Sequence, residues 1–464
     1  MSSPEDHTAK LEKSSAARPS LPLVGPLLER VRSTEMGAAI VANASSLASA
    51  TAVTSLLGVV YWFVAARRFT PSAVGLASAA IAAMTLVSTL ASLGLGTFVL
   101  GEVPRHPNRA RPLIVTALLC AGAAGVALGL GYAVIAGSVS HELHPLISSP
   151  LNATLFVGGT ALVTMGLVLD QALIGQLRGM LQLYRNILFG VAKLAILVLV
   201  STGIAHRSGM TIYASWILGA LVSMVALGVY SPAWIRGLRK DISSGEFPLT
   251  KLVRELGRSV IGHQALNAAL KVPLLMLPVI VVALLGARAN AGFYIAWLVA
   301  NFAFVLPGAL STVLYAVSTG SKADFAARLR LTLSLAFGLT IVAMLILLVG
   351  ANFILSIFGP SYAAIATVSL QLLALSGLPT VVKGHYVSVM RIQGRIGRAL
   401  PVVTFGAVLE VGFAAAGARI DGLTGLTAGW LIALTLQAIV MTPGVARAAL
   451  DRGSAGPNGA NAAT

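Results

Sequence analysis

The sequence is short of charge, and this shortage constrains it most. Asp, Glu, Lys and Arg make up 10% of its 464 residues, where a soluble globular protein has about 25%. A water-exposed surface over most of the chain is excluded, and lipid becomes the main solvent. Cysteine is nearly missing. Cys120 is the one copy and sits in an apolar run, which excludes an intrachain disulfide and a thiolate metal centre. No His/Cys/acid cluster has metal-ligand spacing, and neither a GxxxxGK[ST] phosphate loop nor a nucleophile elbow occurs. No enzyme, cofactor or metal site is expected.

Long apolar runs are what the chain has instead, with 57% hydrophobic residues and 47 glycines suited to close helix packing. A helix needs about 20 apolar residues to cross the hydrocarbon core. Runs of that kind lie at roughly 38–66, 74–101, 113–139, 151–176, 184–205, 211–235, 259–286, 290–318, 328–356, 363–389, 398–418 and 422–447. The fold class expected is an all-α polytopic membrane protein of about twelve transmembrane helices.

The net charge of +17 is spread as short basic clusters between these runs. That is the pattern of a membrane protein and its anionic lipids, not a nucleic-acid footprint. Of the 32 Lys and Arg, 24 fall on one side of the spans, 5 on the other, and Lys193, Lys271 and Lys383 lie inside them. Basic residues stay in the cytoplasm, so both termini are expected there, with the plasma membrane as the location. The opposite, external side has short segments with few acids, Glu142 and Asp421. A membrane glycosyltransferase would need acids there, and a polymerase or ligase would usually need a large external loop.

Residues 1–36 lack a convincing signal peptide and read as a mostly disordered cytoplasmic tail, with Leu21–Val31 as a short interfacial helix. Residues 37–235 form an N-lobe of helices 1–6, 236–258 a basic cytoplasmic linker, 259–450 a C-lobe of helices 7–12, and 451–464 a second disordered tail. A shift of 217 residues maps Gly75 to Gly292, Arg105 to Lys322, Arg111 to Arg328 and Arg178 to Arg395. Six helices per repeat make the two lobes parallel, which is transporter architecture with the site between lobes.

Ionisable residues inside spans cost roughly 2.5–3.5 kcal/mol each on insertion scales, so each needs a partner, a wet cavity or a role. Asp170 and Lys193 sit about 12 Å from the same membrane face, and a structural ion pair is expected; a coupling-ion or proton role for Asp170 is the alternative. Lys383 and Glu410 repeat the arrangement with signs exchanged, since Glu410 is the shifted counterpart of Lys193. Lys271 lies about 18 Å deep, with His263 and Asn267 on its helix face. That stripe reads as cavity-lining, with Lys271 meeting an anionic substrate, or as structural pairing. Helix 1 is rich in small polar residues, Asn43, Ser46, Thr51, Thr54 and Ser55, which serve a cavity or tight helix packing equally well.

Residues Asn43–Arg105 carry a recognisable pattern. A polar first helix ends in AlaAlaArgArgPheThrPro, SerAlaValGly opens the second, LeuAlaSerLeuGlyLeuGly ends it, and GluValProArg closes the segment. This resembles polysaccharide flippases of the multidrug/oligosaccharidyl-lipid/polysaccharide (MOP) superfamily, of MATE-like fold and the O-antigen type. The resemblance covers roughly residues 38–447. It implies two six-helix lobes alternating between inward- and outward-open forms. The cargo implied is undecaprenyl-pyrophosphate-linked oligosaccharide, moved from inner to outer leaflet for cell-envelope polysaccharide biosynthesis. Glycosyltransferases or a polymerase of the same pathway are the implied protein partners. On this reading Lys271, with His263 and Asn267, holds the pyrophosphate, and the polar groups of helices 1 and 7, Asn43 and Thr54 among them, hold the sugar. The prenyl tail stays in lipid between the lobes. Arg105, Arg109 and Arg111 collect the head group or simply fix topology. The lipid II flippase branch has several arginines along its first helices; here Arg67 and Arg68 stand at the outer end of helix 1. A cation-coupled drug or metabolite exporter of the same superfamily is the alternative, and a non-transporting scaffold a third reading.

Overall fold

Apolar stretches too long for a soluble core become helices here, because only a helix satisfies its own backbone polar groups in hydrocarbon. The computed structural model describes residues 53–92, 94–105, 110–139, 141–203, 208–230, 258–318 and 325–450. In the first half these form α1 (53–68), α2 (Pro71–Ala91), α3 (Leu95–Arg105), α4 (Ala110–Val139), α5 (Pro150–Gly175), α6 (Gly179–Gly203) and α7 (Gly209–Tyr230). The second half holds α8 (Arg258–Leu285), α9 (Ala287–Ala303), α10 (Val305–Ser318), α11 (Phe325–Phe358), α12 (Pro360–Leu375), α13 (Gly377–Ile392) and α14 (Ile396–Leu450). Among the described residues eight helices are long and apolar enough to cross a membrane, or ten with each bent pair taken as one span. The chain is a multi-pass membrane protein. The tails, most of the basic linker and Asn43 lie outside the described residues.

Three spans expected to be continuous are broken. The run 290–318 bends by 51° between α9 and α10, and 363–389 by 42° between α12 and α13. Each bend has a proline four residues past the last residue of the first helix: Pro307 after Ala303, Pro379 after Leu375. A proline ring clashes with the carbonyl four residues back and offers it no N–H, so the helix ends there. The run 74–101 breaks between α2 and α3, where Gly94 takes φ +78°. The single element α14 is two helices across a kink, with Gly422 at φ +53°. Its two limbs touch backbone to backbone, since a Cβ at Gly417 would overlap the Gly425 carbonyl and one at Gly429 the Phe413 carbonyl.

The internal repeat appears in a turn. The hairpin between α5 and α6 closes with Arg178 N–H donating to Leu173 O at 2.8 Å, and that between α13 and α14 with Arg395 N–H donating to Met390 O at 2.8 Å. Both pairs are 217 residues apart. Each turn needs one left-handed residue, a helix-terminating motif that favours glycine: Gly394 at φ +67° in one copy, and Leu177 at φ +59° in the other.

The halves meet at α2 and α9. Asn290 of α9 donates to the Gly75 carbonyl at 2.7 Å and to Ser78 Oγ at 3.0 Å. A Cβ on Gly75 would overlap the Ala287 carbonyl oxygen. Gly75→Ala is therefore expected to push α2 off α9 and to destabilise the fold by about 1–3 kcal/mol, the usual range for overpacking. Thermal unfolding in detergent reads this, and an unchanged midpoint would contradict the close approach. At the far end of α1, Arg67 donates to the Ile357 carbonyl through Nε (3.0 Å) and Nη2 (2.6 Å). Phe63 meets Phe358 edge-on there, with centroids 5.9 Å apart. These contacts tie α1 to the C-terminal end of α11.

Candidate functional site: a lysine-walled central cavity

A cavity of about 710 Å³ opens between the halves, lined from α1, α6 and α7 on one side and α8, α9, α10, α12, α13 and α14 on the other. The bends at Phe304 and Ser376 both reach its wall, as broken helices do in transporters. Thr54, Lys193, Lys271, Lys383 and Glu410, all named from sequence, line it.

Lys193 is 4% exposed, and the carboxylate expected beside it is elsewhere. Its Nζ lies 3.5 Å from the ring centroid of Trp216, 4.6 Å from that of Phe189 and 4.9 Å from that of Tyr61. Aromatic faces attract an ammonium by about 0.5–2 kcal/mol each, more when water is excluded. Close packing fixes this direction. A Cβ on Gly219 would come within 2.8 Å of Lys193 N, and one on Gly190 within 2.8 Å of Leu57 Cδ1. The Gly190/Lys193 face of α6 thus meets α1 and α7.

Asp170 corrects the sequence expectation. Its partner is Arg185, which donates to Oδ1 through Nε at 3.0 Å and reaches both oxygens through Nη2 at 2.6 Å. The long arginine reaches back along the α5–α6 hairpin and matches the carboxylate as a fork, while Lys193 points away to α7. Depth alone gave the wrong pair.

Lys383 and Glu410 do form a buried ion pair. Glu410 is fully buried and also accepts from Gln437 Nε2 at 2.7 Å and Trp430 Nε1 at 3.1 Å. The charge is paired and its remaining lone pairs are used, as burial requires. Lys271 is exposed on the cavity wall. Among the described residues it has no ion pair or hydrogen bond. The stripe expected with it divides. Asn267 accepts from Arg391 Nη2 at 2.6 Å and is not on the cavity wall; the end of α13 packs over it. The His263 side chain lies outside the described residues.

Sequence reasoning missed the aromatic wall. Four of the chain's five tryptophans, Trp62, Trp216, Trp297 and Trp430, line the cavity. Trp62 lies 4.6 Å from Tyr294 and Trp297 5.0 Å from Trp430, centroid to centroid. The signal was their rarity, but each falls within about eight residues of one end of its expected span. That placement also describes an interfacial belt.

No protein-family model matches the chain, and no curated protein matches it in sequence. Solved structures do match in fold. An outward-facing multidrug resistance MATE family transporter of the MOP superfamily is 16% identical, over 90% of this chain and 97% of that one, with a TM-score of 0.61. An inward-facing structure, also of a multidrug resistance MATE family transporter, gives 15% identity, 85% and 95% coverage and a TM-score of 0.59. A MOP superfamily transporter from Pyrococcus furiosus, described by the reverse polarity of its binding pocket, gives 14% identity, 91% and 98% coverage and a TM-score of 0.60. The fold of this chain is that of MATE transporters.

Proposed function

We propose that this protein is a flippase of the MOP superfamily. It would carry a polyprenyl-pyrophosphate-linked oligosaccharide from the inner to the outer leaflet of the plasma membrane, with both termini cytoplasmic. The observation that carries the reading is the charge of the cavity: three lysines to one carboxylate, with that carboxylate already spent on Lys383. Two ammonium groups remain for an anion, Lys271 from α8 and Lys193 from α6. Attraction between unit charges about 4 Å apart is of order 4 kcal/mol at an effective dielectric of 20, enough to choose a pyrophosphate over a cation. The tryptophan wall suits sugar rings, whose C–H faces stack on indole, and Thr54 and Ser55 offer hydroxyls. The Pyrococcus furiosus relative is described as having a pocket of reverse polarity that suggests a different function, which supports a cargo change on this fold.

Depletion of the protein should leave lipid-linked precursors in the inner leaflet, read by leaflet-resolved labelling; an unchanged distribution would sink the flippase reading. Lys271→Ala should cut transport at least tenfold, and unchanged transport would remove Lys271 from the site alone. The cation-coupled exporter is the second reading, supported by the multidrug description of two structural relatives. It requires gradient-driven dye efflux lost in Asp170→Asn, against the bidentate hold of Arg185 on that carboxylate.

A further inference from the structure

A second cavity, of about 280 Å³, lies away from the centre, on the face made by α4, α5, α6 and α7. Its walls include Leu118, Leu162, Met165, Leu181 and Met224, and its polar end is Gln176 with Arg178. Along α5 the lining runs from Leu162 to Gln176, about 21 Å at 1.5 Å per residue. One leaflet of hydrocarbon is about 15 Å deep, half of the roughly 30 Å core. The groove therefore runs from the membrane surface to just past the midplane, on the side rich in basic residues.

Its surface end is cationic twice over. Arg178 follows the end of α5. Arg111 stands at the start of the antiparallel α4, three and seven residues before Ile114 and Leu118 of the groove wall, on the same helix face. Both arginines are exposed, and among the described residues neither is ion-paired. Beside Arg178 stands Leu177, 94% exposed and held in the left-handed conformation that the second half gives to glycine. An apolar side chain exposed in that strained place, next to a cationic one, suits the level at which lipid head groups meet acyl chains.

We propose that this groove is a binding site for an anionic phospholipid of the leaflet on the basic side. One acyl chain lies along α5 and the phosphate sits between Arg111 and Arg178. The depth of one leaflet fits a phospholipid chain; a far longer prenyl cargo chain would overrun it. The site is independent of the central cavity and of the cargo assigned to it.

The test uses the full chain in lipid discs with equal phosphatidylglycerol and phosphatidylcholine, extracted gently and weighed by native mass spectrometry. One retained lipid is expected, with phosphatidylglycerol favoured about thirtyfold, as two basic side chains at a membrane surface should give. Arg111→Gln with Arg178→Gln should abolish the preference while a lipid is still retained. Leu118→Trp should fill the groove and cut retention several-fold at an unchanged melting temperature. Equal retention of the two lipids by the unaltered chain, no retention, or an undiminished preference in the double variant would each overturn the proposal. If Leu118→Trp fails to fold, the arginine variant decides alone.

Discussion

Glu410→Ala is expected to cost about 3–5 kcal/mol of stability, the penalty for stranding the other half of a buried ion pair. The lost carboxylate leaves Lys383 Nζ and Trp430 Nε1 without an acceptor and takes one from Gln437 Nε2, which keeps the Gly406 carbonyl at 3.1 Å. None can turn to bulk water, because Lys383, Gln437 and Trp430 are each less than one-tenth exposed. Most of the loss should return in Lys383→Met with Glu410→Gln. Methionine replaces the lysine stem without its charge, and the glutamine oxygen still accepts from Trp430 or Gln437. Thermal unfolding in one detergent measures both variants. If Glu410→Ala melts with the unaltered protein, the pair is not what holds α13 to α14. If the double variant is as weak as the single one, the cost lies in shape and not in stranded charge.

The other large effect falls on Lys193. Lys193→Met should lower transport of an anionic cargo at least tenfold, while the fold stays near its original stability. Methionine fills the space of the lysine stem among Tyr61, Phe189 and Trp216, so packing is largely kept and the charge alone is removed. A cation held only by ring faces is bound far less firmly than one held by a carboxylate, so Lys193 can lean towards an arriving phosphate while Lys383 cannot. Transport in Lys193→Met equal to the unaltered protein would confine the anion site to Lys271. Lys383→Met alone should show the opposite profile, losing stability first, which separates a structural lysine from a cargo lysine within one assay.

The helical, membrane-spanning character was legible because hydrophobic run length is a one-dimensional property. The repeat was legible for a similar reason, because Arg178 and Arg395 occupy the same place in two copies of one turn. Two things were not readable from spacing. The bends at Phe304 and Ser376 depend on a proline three residues downstream, Pro307 and Pro379, inside an otherwise continuous apolar run. Pairing of Asp170 required direction as well as depth: Lys193 shares its level, but Gly190 and Gly219 turn that face of α6 away from α5. The tryptophans were hidden differently. Their distance from the span ends is that of an interfacial belt, and only tertiary packing decides whether an indole faces lipid or cavity. Lys383 and Glu410 were paired correctly from sequence because both lie in spans that form adjacent hairpin arms, α13 and α14.

The contact of Arg67 with the Ile357 carbonyl bears on how the two halves could part. A hydrogen bond from a charged donor contributes about 1.5–3 kcal/mol and an aromatic pair about 0.5–1.5 kcal/mol. The acceptor is a peptide carbonyl, so separating the pair moves no proton and leaves no carboxylate to be neutralised. This contact should then add no pH dependence to any opening of that rim. A cargo that binds the open form better by only a few kcal/mol would be enough to invert the ratio of the two states.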